Sequence, residues 1–197
     1  MSAAEHDLRA ALVRRGALLD GHFRLSSGRH SDRFVQKFRI LEDPATLEPV
    51  ARAIAQRFRA AMPTVVVGAA VGGILLAYEV ARQLGTRAIF VEKENGVPML
   101  RRGFTLAPDD RALLVEDVVT TGLSVRETIA VVRDCGARVV GLGIVVARAP
   151  LNLRQTPDEA EIPIHVLLDL PIESYDEAEC PLCRAGEPIL DPGSRRT

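Results

Sequence analysis

The feature that most constrains this chain is a series of short, wholly apolar runs set between helical patterns. The runs are Val65-Val66-Val67, Ala88 to Val91, Ala112 to Val115, Val139 to Ala147 and Ile164 to Leu168. They lack the polar alternation of a half-exposed strand, so both of their faces must be covered. A glycine-rich turn, Gly68 to Gly73, follows the first run and opens a helix to about Leu84. Another helix runs from about Ser124 to Cys135. This order predicts an α/β fold with a central, mainly parallel sheet flanked by helices. Such sheets bind ligands at the carboxyl ends of their strands. The loops after residues 67, 91, 115 and 147 are therefore the candidate site.

Two further helices precede the alternation. His6 to Arg15 carries Leu8, Ala11 and Leu12 at helical spacing. Pro44 to Phe58 places Leu47, Val50, Ala51, Ile54 and Phe58 on one stripe. Residues 16–44 are mixed, with Ser26-Ser27-Gly28 marking a turn. The span Ala60 to Tyr78 has no charged residue, but Pro63, Thr64, Gly68, Gly72 and Gly73 interrupt it. It reads as strand, loop and helix rather than a membrane span.

Charge narrows the partners. The 25 basic and 26 acidic residues leave a formal charge of −1. That argues against binding nucleic acid or a membrane surface through bulk charge. Aromatics are 4% with no Trp, which disfavours base-stacking platforms. Three cysteines, Cys135, Cys180 and Cys183, suit a reduced, cytoplasmic setting rather than a disulfide framework. The first residues, MSAAEHDLRA, lack the apolar region of a signal peptide.

The most informative string is Leu113 to Val125, LLVEDVVTTGLSV. An apolar strand delivers Glu116 and Asp117 to its carboxyl end, and a Thr/Gly turn leads into a helix. Backbone amides of such a turn converge on one spot, and the helix N-terminus adds positive potential. Thr120, Thr121 and Ser124 add hydroxyl donors. This is a cradle for a phosphate monoester. The two carboxylates suit vicinal hydroxyls or a nearby divalent metal. Phosphate beside hydroxyls describes a ribose 5-phosphate.

The string resembles the phosphoribosyl pyrophosphate (PRPP) signature of type I phosphoribosyltransferases: four apolar residues, two acids, two apolar residues, then Thr-Thr-Gly. The resemblance implies the fold of that family with a small N-terminal hood. It implies that Glu116 and Asp117 bind the ribose hydroxyls, that Thr120, Thr121, Gly122, Leu123 and Ser124 bind the 5-phosphate, and that Val118 and Val119 also belong to the PRPP site. The loop carrying Ala69, Ala70 and Gly72 would bind pyrophosphate, although many members have a lysine where Gly72 stands. Residues 92–104, EKENGVPMLRRGF, would be a lid closing over PRPP. The lid would be shared between subunits of a homodimer, and the bland alternative is a solvated charged loop. Members often carry a further Lys and a His there. Here Lys93, Arg101 and Arg102 are the candidate catalytic cations beside Asp117, with Lys93 also contacting PRPP. Magnesium would arrive on PRPP rather than on protein side chains.

Two regions bear on the acceptor. Leu19 to Phe34 is similar to the hood of orotate phosphoribosyltransferases, with Gly21, Phe23, Leu25, Ser27, Gly28, Ser31 and Phe34 in place. Ser26 stands where many members have a Lys. Arg148 ends an apolar strand, where a buried cation is costly unless it meets an anion; a planar guanidinium suits the orotate carboxylate. The resemblance thus makes Ser26, Phe34, Thr120 and Arg148 the orotate contacts. It divides the chain into helix and hood (1–42), PRPP-binding core (43–172) and tail (173–197). The alternatives are a purine or other base as acceptor, or a non-catalytic PRPP sensor that binds nucleic acid. His22 and His30 read as surface or packed histidines. Cys180-Pro-Leu-Cys183 supplies two of the four ligands zinc usually needs. It reads as tail packing, with a zinc site shared across a dimer, or a redox pair, as alternatives.

Overall fold

The computed structural model describes residues 3–25, 27–149 and 162–191, with side chains from Leu8 onward. Ser26 lies outside the described residues. The elements are α1 (Ala3–Arg14), β1 (Leu18–Arg24), β2 (His30–Val35), α2 (Phe38–Leu41), α3 (Pro44–Phe58), β3 (Val65–Ala69), α4 (Gly72–Leu84), β4 (Arg87–Glu94), β5 (Val97–Leu100), β6 (Arg111–Val119), α5 (Leu123–Asp134), β7 (Arg138–Ala147), β8 (Ile164–Asp169) and α6 (Pro181–Arg184).

Six strands form the main sheet in the order β5-β4-β3-β6-β7-β8. Strands β4, β3, β6, β7 and β8 are mutually parallel, and β5 pairs antiparallel with β4. Alternate residues feed two cores, as the two-residue period of a strand requires. Val66, Leu113 and Val115 pack with Leu12, Ile54, Leu76 and Val80 from α1, α3 and α4. Val65, Val67 and Leu114 pack with Val125, Ile129 and Val132 of α5. Each fully buried aliphatic side chain contributes about 1.5–3 kcal/mol. Helix α3 is started by Asp43, whose carboxylate accepts from the Thr46 amide at 3.0 Å, and by Pro44 in its first turn.

Two features differ from the sequence expectations. Strand β6 continues through Val119, so Glu116 and Asp117 lie within the strand and not beyond it. Residues 92–104 are not an open connection: β4 runs to Glu94, Asn95-Gly96 turns with φ of 52° and 83°, and β5 returns. Two consecutive positive φ values are the hairpin-turn geometry that Asn-Gly favours. Helix α1 and the hood both reach the main core, through Leu8 and Leu12 and through Val35.

The hood itself is the antiparallel β1-β2 hairpin. The segment 173–191 lies against it. His30 and Tyr175 exchange backbone hydrogen bonds of 2.8 Å, and the Leu190 amide donates to the His22 carbonyl at 2.6 Å. Arg29 donates to the Ser174 carbonyl at 2.6 Å and pairs with Asp176.

Candidate active site

The loops after β3, β6 and β7 meet at one end of the sheet. After β3 the chain turns at once into α4. A Cβ on Gly68 would fall 2.2 Å from the Gly73 carbonyl oxygen, so strand end and helix start touch. A Cβ on Gly72 would fall 1.7 Å from Asp117 Oδ2. The two loops are thus in direct contact, and only glycine fits at both positions. The Ala70 amide donates to the Val91 carbonyl at 2.8 Å, tying this loop to β4.

Asp117 is 2% exposed. Its Oδ1 accepts the Val118 amide at 2.6 Å and the Lys37 ammonium at 3.2 Å. Its Oδ2 lies 2.9 Å from Lys37 Nζ, at an angle that makes no hydrogen bond. That oxygen is left as a buried acceptor. Glu116, also buried, lines a cavity of about 180 Å³ together with Val118 to Val125. Burial and the neighbouring Asp117 carboxylate push the Glu116 carboxyl up to about 8, against the opposing pull of Lys37. Near neutrality Glu116 is therefore largely protonated and can donate as well as accept.

The same cavity is closed by the turn into α5. Gly122 takes φ +75° at the N-cap and has no side chain to cap α5; the Leu123 amide instead donates to Thr121 Oγ1 at 3.4 Å. Thr120, Thr121 and Ser124 are exposed around the turn, and Leu123 is 53% exposed. Val119 is buried at the strand end. An anion fits here by charge and by hydrogen bonding.

The three candidate lid cations are each held by a carboxylate. Lys93 pairs with Glu127 of α5 at 2.8 Å, Arg101 with Glu94 at 2.9 Å, and Arg102 with Glu92 at 2.9 Å. None of them pairs with Glu116 or Asp117. The cation beside that acidic pair is Lys37, at the start of α2, 80 positions away in sequence. It stands 3.0 Å from where a Gly72 Cβ would be. Sequence reasoning passed over it. One signal was available: of 25 basic residues only Lys37 and Lys93 are lysines.

Arg148 follows β7, and its amide donates to the Val119 carbonyl at 2.8 Å, which sets it beside the start of the Thr120 turn. Its Nε is buried and makes no hydrogen bond. Burial lowers the guanidinium pKa from its usual value. Phe34 is half-buried in β2 and packs on Phe23, ring centroids 5.7 Å apart.

Comparison with known proteins agrees with this geometry. The phosphoribosyl transferase domain family matches residues 38–160. The chain is 46% identical to the orotate phosphoribosyltransferase of Caldanaerobacter subterraneus subsp. tengcongensis over 89% of its own length and 90% of the relative's. It is 45% identical to the orotate phosphoribosyltransferase of Pelotomaculum thermopropionicum over 95% and 96% of the two chains. The solved orotate phosphoribosyltransferase of Mycobacterium tuberculosis superposes with a TM-score of 0.70 at 28% identity, covering 85% of this chain and 96% of that one. The phosphoribosyl transferase match and these relatives show that the chain is a phosphoribosyltransferase. Within that class, the chain belongs to the orotate phosphoribosyltransferase family.

Proposed function

We propose that this enzyme joins orotate N1 to C1 of PRPP, releasing pyrophosphate and forming orotidine 5-monophosphate. The observation that carries the acceptor is Arg148: a half-buried arginine whose buried Nε has no hydrogen-bond partner, set against the turn that would hold the 5-phosphate. An anionic base meets that need, and a neutral purine does not.

PRPP would lie across the ends of β3 and β6. The α5 amides with Thr120, Thr121 and Ser124 hold the 5-phosphate. Asp117 Oδ2 accepts a ribose hydroxyl, and Glu116, protonated near neutrality, exchanges hydrogen bonds with its neighbour. Ala69, Ala70 and Gly72 face the pyrophosphate, and Lys37 supplies positive charge beside them. Bond breaking at C1 leaves positive charge on the ribose and negative charge on the leaving group. The chain then acts by holding the reactants in line and by placing cations around the departing oxygens.

Magnesium fits as a passenger on PRPP. When bound, the ion neutralises pyrophosphate and ribose oxygens. The hairpin bearing Lys93 and the segment bearing Arg101 and Arg102 would supply further cations on closure, across the interface of a cytoplasmic homodimer.

The test is loss of orotate absorbance with PRPP and magnesium, beside matched hypoxanthine, guanine, xanthine and uracil reactions. Consumption of orotate alone supports the reading. Turnover of a purine with orotate inert would overturn it.

A further inference from the structure

The C-terminal segment poses a packing problem. Between residues 173 and 191 only Cys180 is buried. Ile189 and Leu190 remain 44% and 48% exposed. A segment that buries so little apolar surface needs another source of order. It nevertheless follows the hood hairpin closely, through the backbone bonds of Tyr175 and Leu190.

At the centre of that contact four side chains converge. His22 is 2% exposed, His30 1% and Cys180 0%, with Cys183 beside them. One ligand atom from each lies within 4.8 Å of all the others. His22 Nε2 is 2.9 Å from His30 Nδ1, 3.6 Å from Cys180 Sγ and 3.7 Å from Cys183 Sγ. His30 Nδ1 is 3.2 Å from Cys183 Sγ. Tetrahedral zinc with ordinary bond lengths puts nitrogens about 3.3 Å apart and nitrogen and sulfur about 3.6 Å apart. The cluster has these dimensions to within a few tenths of an ångström.

The surrounding bonds favour a metal over plain packing. His22 Nδ1 is 2.9 Å from the Glu187 carbonyl oxygen, which can only accept. That fixes the tautomer and turns the Nε2 lone pair inward, as for a ligating imidazole held from outside. His30 and two thiols then compete to donate to one nitrogen. A single cation satisfies all four groups.

We propose that His22, His30, Cys180 and Cys183 form a closed Cys2His2 zinc site that staples the C-terminal segment to the hood hairpin within one chain. Binding releases the two thiol protons to solvent, and two thiolates balance the charge of the ion. Four protein ligands leave no open position, so the site is structural. Its ligands come from β1 (His22), β2 (His30), the N-cap of α6 (Cys180) and α6 itself (Cys183).

Zinc measured by mass spectrometry on the purified full chain is expected at about one per chain. Cys135→Ser should retain it, and the Cys180→Ser/Cys183→Ser pair should lose it. Cobalt(II) replacing zinc should give the intense visible and thiolate-to-metal bands of a tetrahedral sulfur site, a readout that needs no variant. Chelation should lower the thermal midpoint of the wild type by on the order of 5 °C and leave the paired variant unmoved. Reduced wild-type protein that takes up neither zinc nor cobalt stoichiometrically in a competition titration would overturn the site. So would a Cys180–Cys183 disulfide that survives purification under reducing conditions.

Discussion

Lys37 Nζ sits 2.9 Å from Asp117 Oδ2, in space that a side chain at position 72 would otherwise fill. The cation, the carboxylate and the glycine form one unit drawn from three distant parts of the chain. Lys37→Met would leave a nearly buried carboxylate without its partner. Removing one member of such a pair costs on the order of 1–3 kcal/mol. The expected result is a lower denaturant midpoint and a tenfold or greater fall in kcat/KM for PRPP, on the order of 1.4 kcal/mol or more of transition-state stabilisation. Unchanged PRPP kinetics would place Lys37 outside the site.

Gly72→Ala tests the same unit from the other side. The added methyl group would overlap Asp117 Oδ2, so the carboxylate must move. The loop is anchored through Ala70 to Val91 and cannot easily retreat. A misplacement of about 1 Å at a reacting geometry can cost 10²-fold. The KM for PRPP should rise and kcat should fall while orotate affinity holds. Steady-state kinetics with each substrate varied in turn reads this directly.

Arg148→Met separates binding from stability. The orotate KM should rise by one to two orders of magnitude, with the PRPP KM within about threefold of its starting value. The free protein should be no less stable, because an apolar side chain replaces a half-buried cation whose buried Nε has no hydrogen-bond partner. Equal losses for both substrates, or a marked drop in unfolding midpoint, would contradict the assignment.

Glu116 predicts a pH dependence. Its folded-state pKa, about 8, is above the ordinary carboxyl value of 4.5. The folded state therefore binds a proton that the unfolded state releases. The associated stability is fully present below about pH 4.5 and is lost as pH rises to about 8, where it levels off. The limiting slope for one proton is about 1.4 kcal/mol per pH unit. Glu116→Gln should flatten this part of the profile. Urea unfolding of both proteins from pH 5 to 9 measures it, and parallel profiles would show that Glu116 titrates normally.

The sheet and the turn from β6 into α5 are legible in the sequence. Both are written locally. Uninterrupted apolar runs demand cover on both faces, and LLVEDVVTTG places acids, hydroxyls and helix start within a dozen residues. The Asn95-Gly96 hairpin is equally local, its Asn-Gly turn signal lying within a stretch dominated by charged residues. Tertiary structure decided what no local window contains. The partner of Asp117 is Lys37, 80 positions away, and His22 meets Cys180 across 158 positions. A lysine, a histidine or a cysteine pair has the same local signature whether it faces solvent, a core or an ion. The sheet order, and the return of the C-terminal segment onto the hairpin, select among these by bringing their charges and lone pairs within bonding distance.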